Sequence, residues 1–143
     1  MSACRIYTII FTMFLMVIAS PVLAESLTGM DNNNNGIRDD LEPVIAKRYT
    51  DKREQAAAGY LIQQVRKGLD ASDGFGSMSV AVDDVSSGLE CAYTVFGAHK
   101  AKREIDFLLN RMIDNADRAQ AWIPIMNKIS GKPMSVGNAS ACP

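Results

Sequence analysis

Beyond residue 40, apolar side chains recur at three- and four-residue steps, and this spacing constrains the fold more than any other feature of the chain. Such steps place side chains on one face of an α-helix. No segment alternates apolar and polar residues over the length of a strand. We therefore predict an all-α fold, a small helical bundle.

Three helical stretches carry these apolar faces. The first runs from Asp39 or Asp40 to about residue 70, with Pro43 in its first turn and a break near Thr50. The second runs over 79–97, and the third is one helix from about 102, bounded or kinked at Pro124. The predicted apolar faces are Leu41, Val44, Ile45, Tyr49, Ala56, Tyr60, Leu61, Val65 and Leu69, then Val82, Val85, Leu89, Ala92, Tyr93 and Phe96, and finally Ile105, Leu108, Leu109, Met112, Ile113, Ala116, Ala119 and Ile123.

The first 24 residues have the pattern of an export signal. Arg5 gives a positive start, residues 6–18 are apolar, and Val22 and Ala24 satisfy the small-x-small rule for cleavage before Glu25. An uncleaved anchor is the alternative, but 13 residues of helix span about 20 Å, less than the roughly 30 Å hydrocarbon core. We expect a periplasmic or secreted protein whose single domain is 25–143, without a membrane span after cleavage.

The charge of this mature chain argues against nucleic acid as a partner. Without Arg5 it has 14 basic and 16 acidic side chains, a net charge of −2. Binding to nucleic acid or to anionic lipid is typical of chains with a clear basic excess. A protein partner stays open and unidentified.

Two cysteines, Cys91 and Cys142, remain after the signal is removed. An even pair in an exported chain favours a disulfide, and two unrelated buried thiols are the alternative. A disulfide would anchor the tail over 130–143, which we expect to be irregular because it is rich in Gly, Ser and Asn.

The segment Asp31–Glu42 reads DNNNNGIRDDLE and fits the expression D-x-[DN]-x-[DN]-G-x5-E. Alternate oxygen-bearing side chains converge on one ion as such a loop curls, and Gly36 takes the sharp turn. A polar turn without an ion is the alternative, because Asn-Gly is a strong turn signal. The calcium ligands that we predict are Asp31, Asn33, Asn35, the Ile37 carbonyl, Asp39 through water, and Glu42.

Over these 12 to 20 residues the sequence resembles the EF-hand superfamily, especially the loop-plus-exit-helix variants of secreted bacterial proteins, including dockerin-like repeats. The resemblance implies calcium coordination and no catalysis. Residues 25–30 are too few for an entering helix, and Arg38 replaces the usual apolar residue at the eighth position. No second loop of this kind exists to pair with it. With three carboxylates and no paired loop, we expect a Kd on the order of 0.1 to 1 mM.

The function that these features predict is a binding or structural module of the cell envelope, stabilised by calcium and not an enzyme. The alternative is a small exported enzyme whose site joins His99, the only histidine, to scattered acidic side chains. With no second histidine or nearby cysteine, an interhelical histidine without a catalytic role is the simpler interpretation.

Overall fold

The computed structural model describes residues 26–133 and Cys142. In this part of the chain there are five helices and no β-strand, which confirms the all-α prediction. They are α1 (Glu42–Arg48), α2 (Lys52–Ser72), α3 (Met78–Phe96), α4 (Ala98–Met112) and α5 (Ala116–Ile129). The predicted signal over 1–24 and the tail segment 134–141 lie outside the described residues. None of the five helices is long and apolar enough to cross a membrane.

The break predicted near Thr50 separates α1 from α2. Pro43 lies in the first turn of α1, where its missing N–H breaks no helical hydrogen bond. The Asp51 side chain caps α2 by accepting from the N–H groups of Arg53 (2.8 Å) and Glu54 (3.0 Å). Helix α2 then continues to Ser72, beyond the end near residue 70 that the apolar pattern predicted.

Helices α2 and α3 make the most extensive contact in the bundle, and the other helices cover the remaining sides of α2. The apolar faces predicted for these two helices supply part of the core. Leu61, Val65, Leu69, Val85 and Ala92 are fully buried. Trp122 of α5 is 8% exposed and belongs to the same core.

The prediction of one continuous third helix is wrong. The chain leaves the helical conformation at Ile113, and the Asn115 side chain caps a new helix by accepting from Arg118 N at 2.9 Å. The break shifts the phase of the apolar face, so that Ile123 is 56% exposed while Ile125 and Ile129 are buried. Pro124 lies inside α5 on its exposed side, where water can satisfy the carbonyl that loses its partner.

The predicted disulfide is present. Cys91 of α3 is bonded to Cys142, 51 positions later, with 4.9 Å between the two Cα atoms. This bond attaches Cys142 to a buried position of α3.

Candidate metal centre

The loop between residues 31 and 42 is shaped by hydrogen bonds to its first side chain. The Asp31 carboxylate accepts from Asn35 N through Oδ1 (3.1 Å) and from Gly36 N through Oδ2 (2.9 Å). Gly36 has φ +83°, which a residue with a Cβ rarely adopts, and Asn34 has φ +56°. These two positive φ angles curl the chain around the Asp31 side chain.

Three of the other predicted ligands meet at one point. Glu42 Oε1 accepts from Nδ2 of Asn33 (2.8 Å) and from Nδ2 of Asn35 (2.5 Å). The Oδ1 atoms of these asparagines accept from Asn35 N and Ile37 N. An amide oxygen has two lone pairs, so each retains capacity for a further partner. The first, third, fifth and twelfth positions of the loop are therefore close together.

Asp39 has a different neighbour. Its carboxylate accepts from the backbone N–H of Asn32 at 3.1 Å and from the Asn32 side chain, whereas its own N–H donates to Met30 O at 3.0 Å. The hydrogen bond from Asp39 N to Met30 O holds the start of the loop next to its end. The hydrogen bonds of this carboxylate thus go to Asn32, at the edge of the loop. Its role as a ligand that acts through water stays a prediction.

One face of α2 supports the loop. Gly59, Gln63 and Arg66 follow at steps of four and three residues and so lie on one side of the helix. A Cβ at Gly59 would come within 3.1 Å of Ile37 Cδ1, and Gln63 Nε2 donates to Asn35 O at 2.7 Å. The Arg66 guanidinium forms an ion pair with Asp31 Oδ2. The loop thus docks on a helix of the bundle.

Arg38 explains the departure at the eighth loop position. The residue is 5% exposed, and its guanidinium binds Asp40 (2.7 Å) and Asp114 (2.9 Å). Asp114 also pairs with Arg118, which donates to Leu27 O at 2.7 Å. Burial works to raise the pKa of Asp114, but hydrogen bonds from the two arginines outweigh it and hold that pKa below its ordinary value.

The donor set suits a hard cation. It consists of carboxylate, amide and backbone oxygens, which are the ligands that calcium prefers. In residues 26–133 and Cys142, no group of three or more Asp, Glu, His or Cys side chains is placed to hold a metal by itself. A cation in this loop would therefore also need oxygens from the asparagine side chains and the backbone.

A second buried cluster was not predicted from the sequence. Glu104 of α4 is 2% exposed and accepts from Arg48 Nε (2.7 Å) and from the Tyr49 hydroxyl (3.1 Å). Burial raises the pKa of this carboxyl, but the hydrogen bonds from Arg48, Arg103 and Tyr49 bring it below its ordinary value. The Arg48 guanidinium also lies 3.8 Å from the centre of the Phe107 ring. The cluster ties the end of α1 to α4.

His99 lies in the first turn of α4 and is exposed, so the expectation of an interhelical position is wrong. Of the cations around it, Lys100 pairs with Glu54 (2.6 Å) and Lys102 pairs with Asp106 (2.6 Å). The first pair joins α4 to α2, and the second lies along α4.

Comparisons with protein-family models, with curated proteins and with solved structures found no match for this chain.

Proposed function

We propose that this is an exported calcium-binding protein in which the ion stabilises the N-terminal part of a helical bundle. The observation that carries the proposal is the meeting of Asn33 and Asn35 with Glu42, beside an Asp31 carboxylate turned into the same loop. These are four of the ligand positions that the loop pattern assigns. Asp39 and the Ile37 carbonyl complete the proposed set.

A stabilising role suits the position of the loop. The loop rests on α2 through Gln63 and Arg66, and Arg38 joins it to Asp114 at the start of α5. Calcium would supply positive charge beside Glu42 Oε1, which now accepts from the amide groups of Asn33 and Asn35; both amides would turn their oxygens toward the ion. Its binding would fix the loop, and with it the segment from Ser26 to Leu41, against the bundle. We therefore propose a binding or structural module of the cell envelope.

Thermal unfolding with and without calcium tests the proposal. We expect millimolar calcium to raise the Tm of the purified protein above its value in chelator, and titration calorimetry to give a Kd on the order of 0.1 to 1 mM. Glu42→Gln should abolish the rise in Tm. Asp117→Asn makes the same change in charge in the first turn of α5 and should keep it. Equal melting temperatures with and without calcium would contradict the proposal.

Export has separate support and a separate test. Disulfides persist in oxidising compartments, and the Cys91–Cys142 bond agrees with a periplasmic or secreted location. The proposed signal over 1–24 predicts a mature protein that begins at Glu25. Mass spectrometry of the exported protein measures this directly, and a retained N-terminus would indicate a signal anchor instead. The exposed position of His99 gives no ground for an enzymatic proposal.

A further inference from the structure

Arg66 places a positive charge against the first side chain of the loop. Its Nη1 atom donates to Asp31 Oδ2, which also accepts from Gly36 N at 2.9 Å. The Asp31 side chain is 3% exposed and that of Arg66 is 23% exposed. The other carboxylate oxygen, Oδ1, accepts from Asn35 N at 3.1 Å and has a lone pair for a further partner.

The ion pair between Arg66 and Asp31 changes the net charge of the loop. Asp31, Asp39 and Glu42 contribute three negative charges, and the Arg66 guanidinium offsets one of them. In the absence of a metal, this pair gives Asp31 a counter-charge and holds its carboxylate in the orientation that the loop requires. When a divalent cation approaches the same carboxylate, the guanidinium repels it.

We propose that Arg66 is a resident counter-cation of the loop, which keeps the loop folded without calcium and lowers the calcium affinity of the site. This inference rests on the calcium-binding function proposed above. The proposed role and a purely structural ion pair predict opposite changes in calcium affinity when Arg66 is removed. If Arg66 only positions Asp31, its removal loosens the loop and weakens calcium binding; if it acts as a competing charge, its removal strengthens binding.

Three variants separate these possibilities. Arg66→Gln removes the charge, and Arg66→Lys keeps it. Lys67→Gln removes the neighbouring charge, which pairs with Asp84 of α3 at 3.2 Å. Each variant is measured by calcium titration in a calorimeter and by thermal unfolding in chelator and in saturating calcium.

We expect Arg66→Gln to bind calcium roughly tenfold more tightly than the wild type, as screened repulsion between a guanidinium and a divalent ion predicts. In chelator its Tm should fall below that of the wild type, because the enclosed Asp31 carboxylate loses its counter-charge. The increase in Tm on adding calcium should therefore be larger than in the wild type. Arg66→Lys and Lys67→Gln should keep the wild-type affinity to within about twofold.

The outcomes distinguish the two proposals. If the wild type and Arg66→Gln bind calcium equally, or if the variant binds more weakly, the role of Arg66 is wrong while the calcium site stands. If neither protein binds calcium at millimolar concentration, both proposals are wrong. A variant that binds more tightly but melts at the wild-type temperature in chelator overturns the claim that Arg66 supports the empty loop.

Discussion

Arg38 and Asp114 are 76 positions apart in the sequence, yet Arg38 Nη2 lies 2.9 Å from Asp114 Oδ2. This ion pair joins the loop to the junction of α4 and α5. Arg118 approaches the same carboxylate from the other side and holds the backbone of Leu27. The two arginines are buried, so Asp114 is the acidic group between two cations that are shielded from water. Through the two arginines, Asp114 links the segment that contains Leu27 and Arg38 to the junction of α4 and α5.

Asp114→Asn should lower the free energy of unfolding by about 2 kcal/mol. Removing one partner of a buried, hydrogen-bonded charge costs about 3 to 5 kcal/mol, and the 39% exposure of the Asp114 side chain reduces that cost. Urea denaturation measures the change. Asp106→Asn is the matched control, because Asp106 and its partner Lys102 both lie on the exposed surface of α4. We expect this variant to lower the free energy of unfolding by less than about 0.5 kcal/mol. Equal losses in the two variants would contradict a special role for Asp114.

Loss of the disulfide should destabilise the domain by at most about 4 kcal/mol, the chain-entropy value for a loop of this length. Cys142→Ser is the better variant, because Cys91 is fully buried and a hydroxyl there would add a separate cost. Urea midpoints with and without a reductant measure the effect. The reductant should lower the midpoint of the wild type and leave that of Cys142→Ser unchanged. A wild-type midpoint that does not respond to complete reduction would contradict the prediction.

Glu104 should make stability depend on acid pH. Its pKa in the folded protein lies below its ordinary value of 4.5, so its stabilising effect is full above that pH and is lost as the pH falls through the folded pKa. Glu104→Gln should therefore be less stable than the wild type at pH 7. The gap in Tm should narrow as the pH falls below 4.5. Thermal unfolding between pH 3 and 7 measures it, and a constant gap would contradict the proposed charge effect.

The sequence predicted those parts of the fold that depend on local rules. The break before α2 follows from the capping side chain of Asp51, and periodicity along α2 and α3 identified several of their buried residues, among them Leu61, Val65 and Val85. The break at residues 113–115 was missed, because Ile105 to Ile123 keep helical spacing across it. Spacing alone does not register that Asn115 caps a new helix. It also does not show that Asp114 pairs with Arg38, which lies 76 positions earlier in the chain.

In the candidate site, too, contacts within the loop could be predicted from the sequence and contacts with distant residues could not. Hydrogen bonds join Asn33 and Asn35 to Glu42, three residues that the spacing had grouped, and their role as calcium ligands stays a prediction. Nothing in that spacing indicated Arg66, which is 35 positions from Asp31 and belongs to a different element. Ion pairs between distant elements depend on how the helices pack, and a single sequence contains no periodic signal for them.

Asn35→Asp should make the protein more dependent on calcium. In the structure the Asn35 amide donates to Glu42 Oε1, and an aspartate would place a second carboxylate against that oxygen. In chelator the two carboxylates repel, so the Tm should fall below that of the wild type. In saturating calcium the added charge attracts the ion, and the calcium Kd should fall several-fold.

Asn34→Asp provides the matched control for this variant. It makes the same change in charge one position earlier, at a residue outside the predicted ligand set, and aspartate tolerates the φ of +56° as asparagine does. We expect its Tm in chelator to stay near that of the wild type and its calcium affinity to rise less than that of Asn35→Asp. Equal effects of the two variants would mean that only the net charge of the loop matters. The meeting of Asn35 with Glu42 would then not be the place where the ion binds.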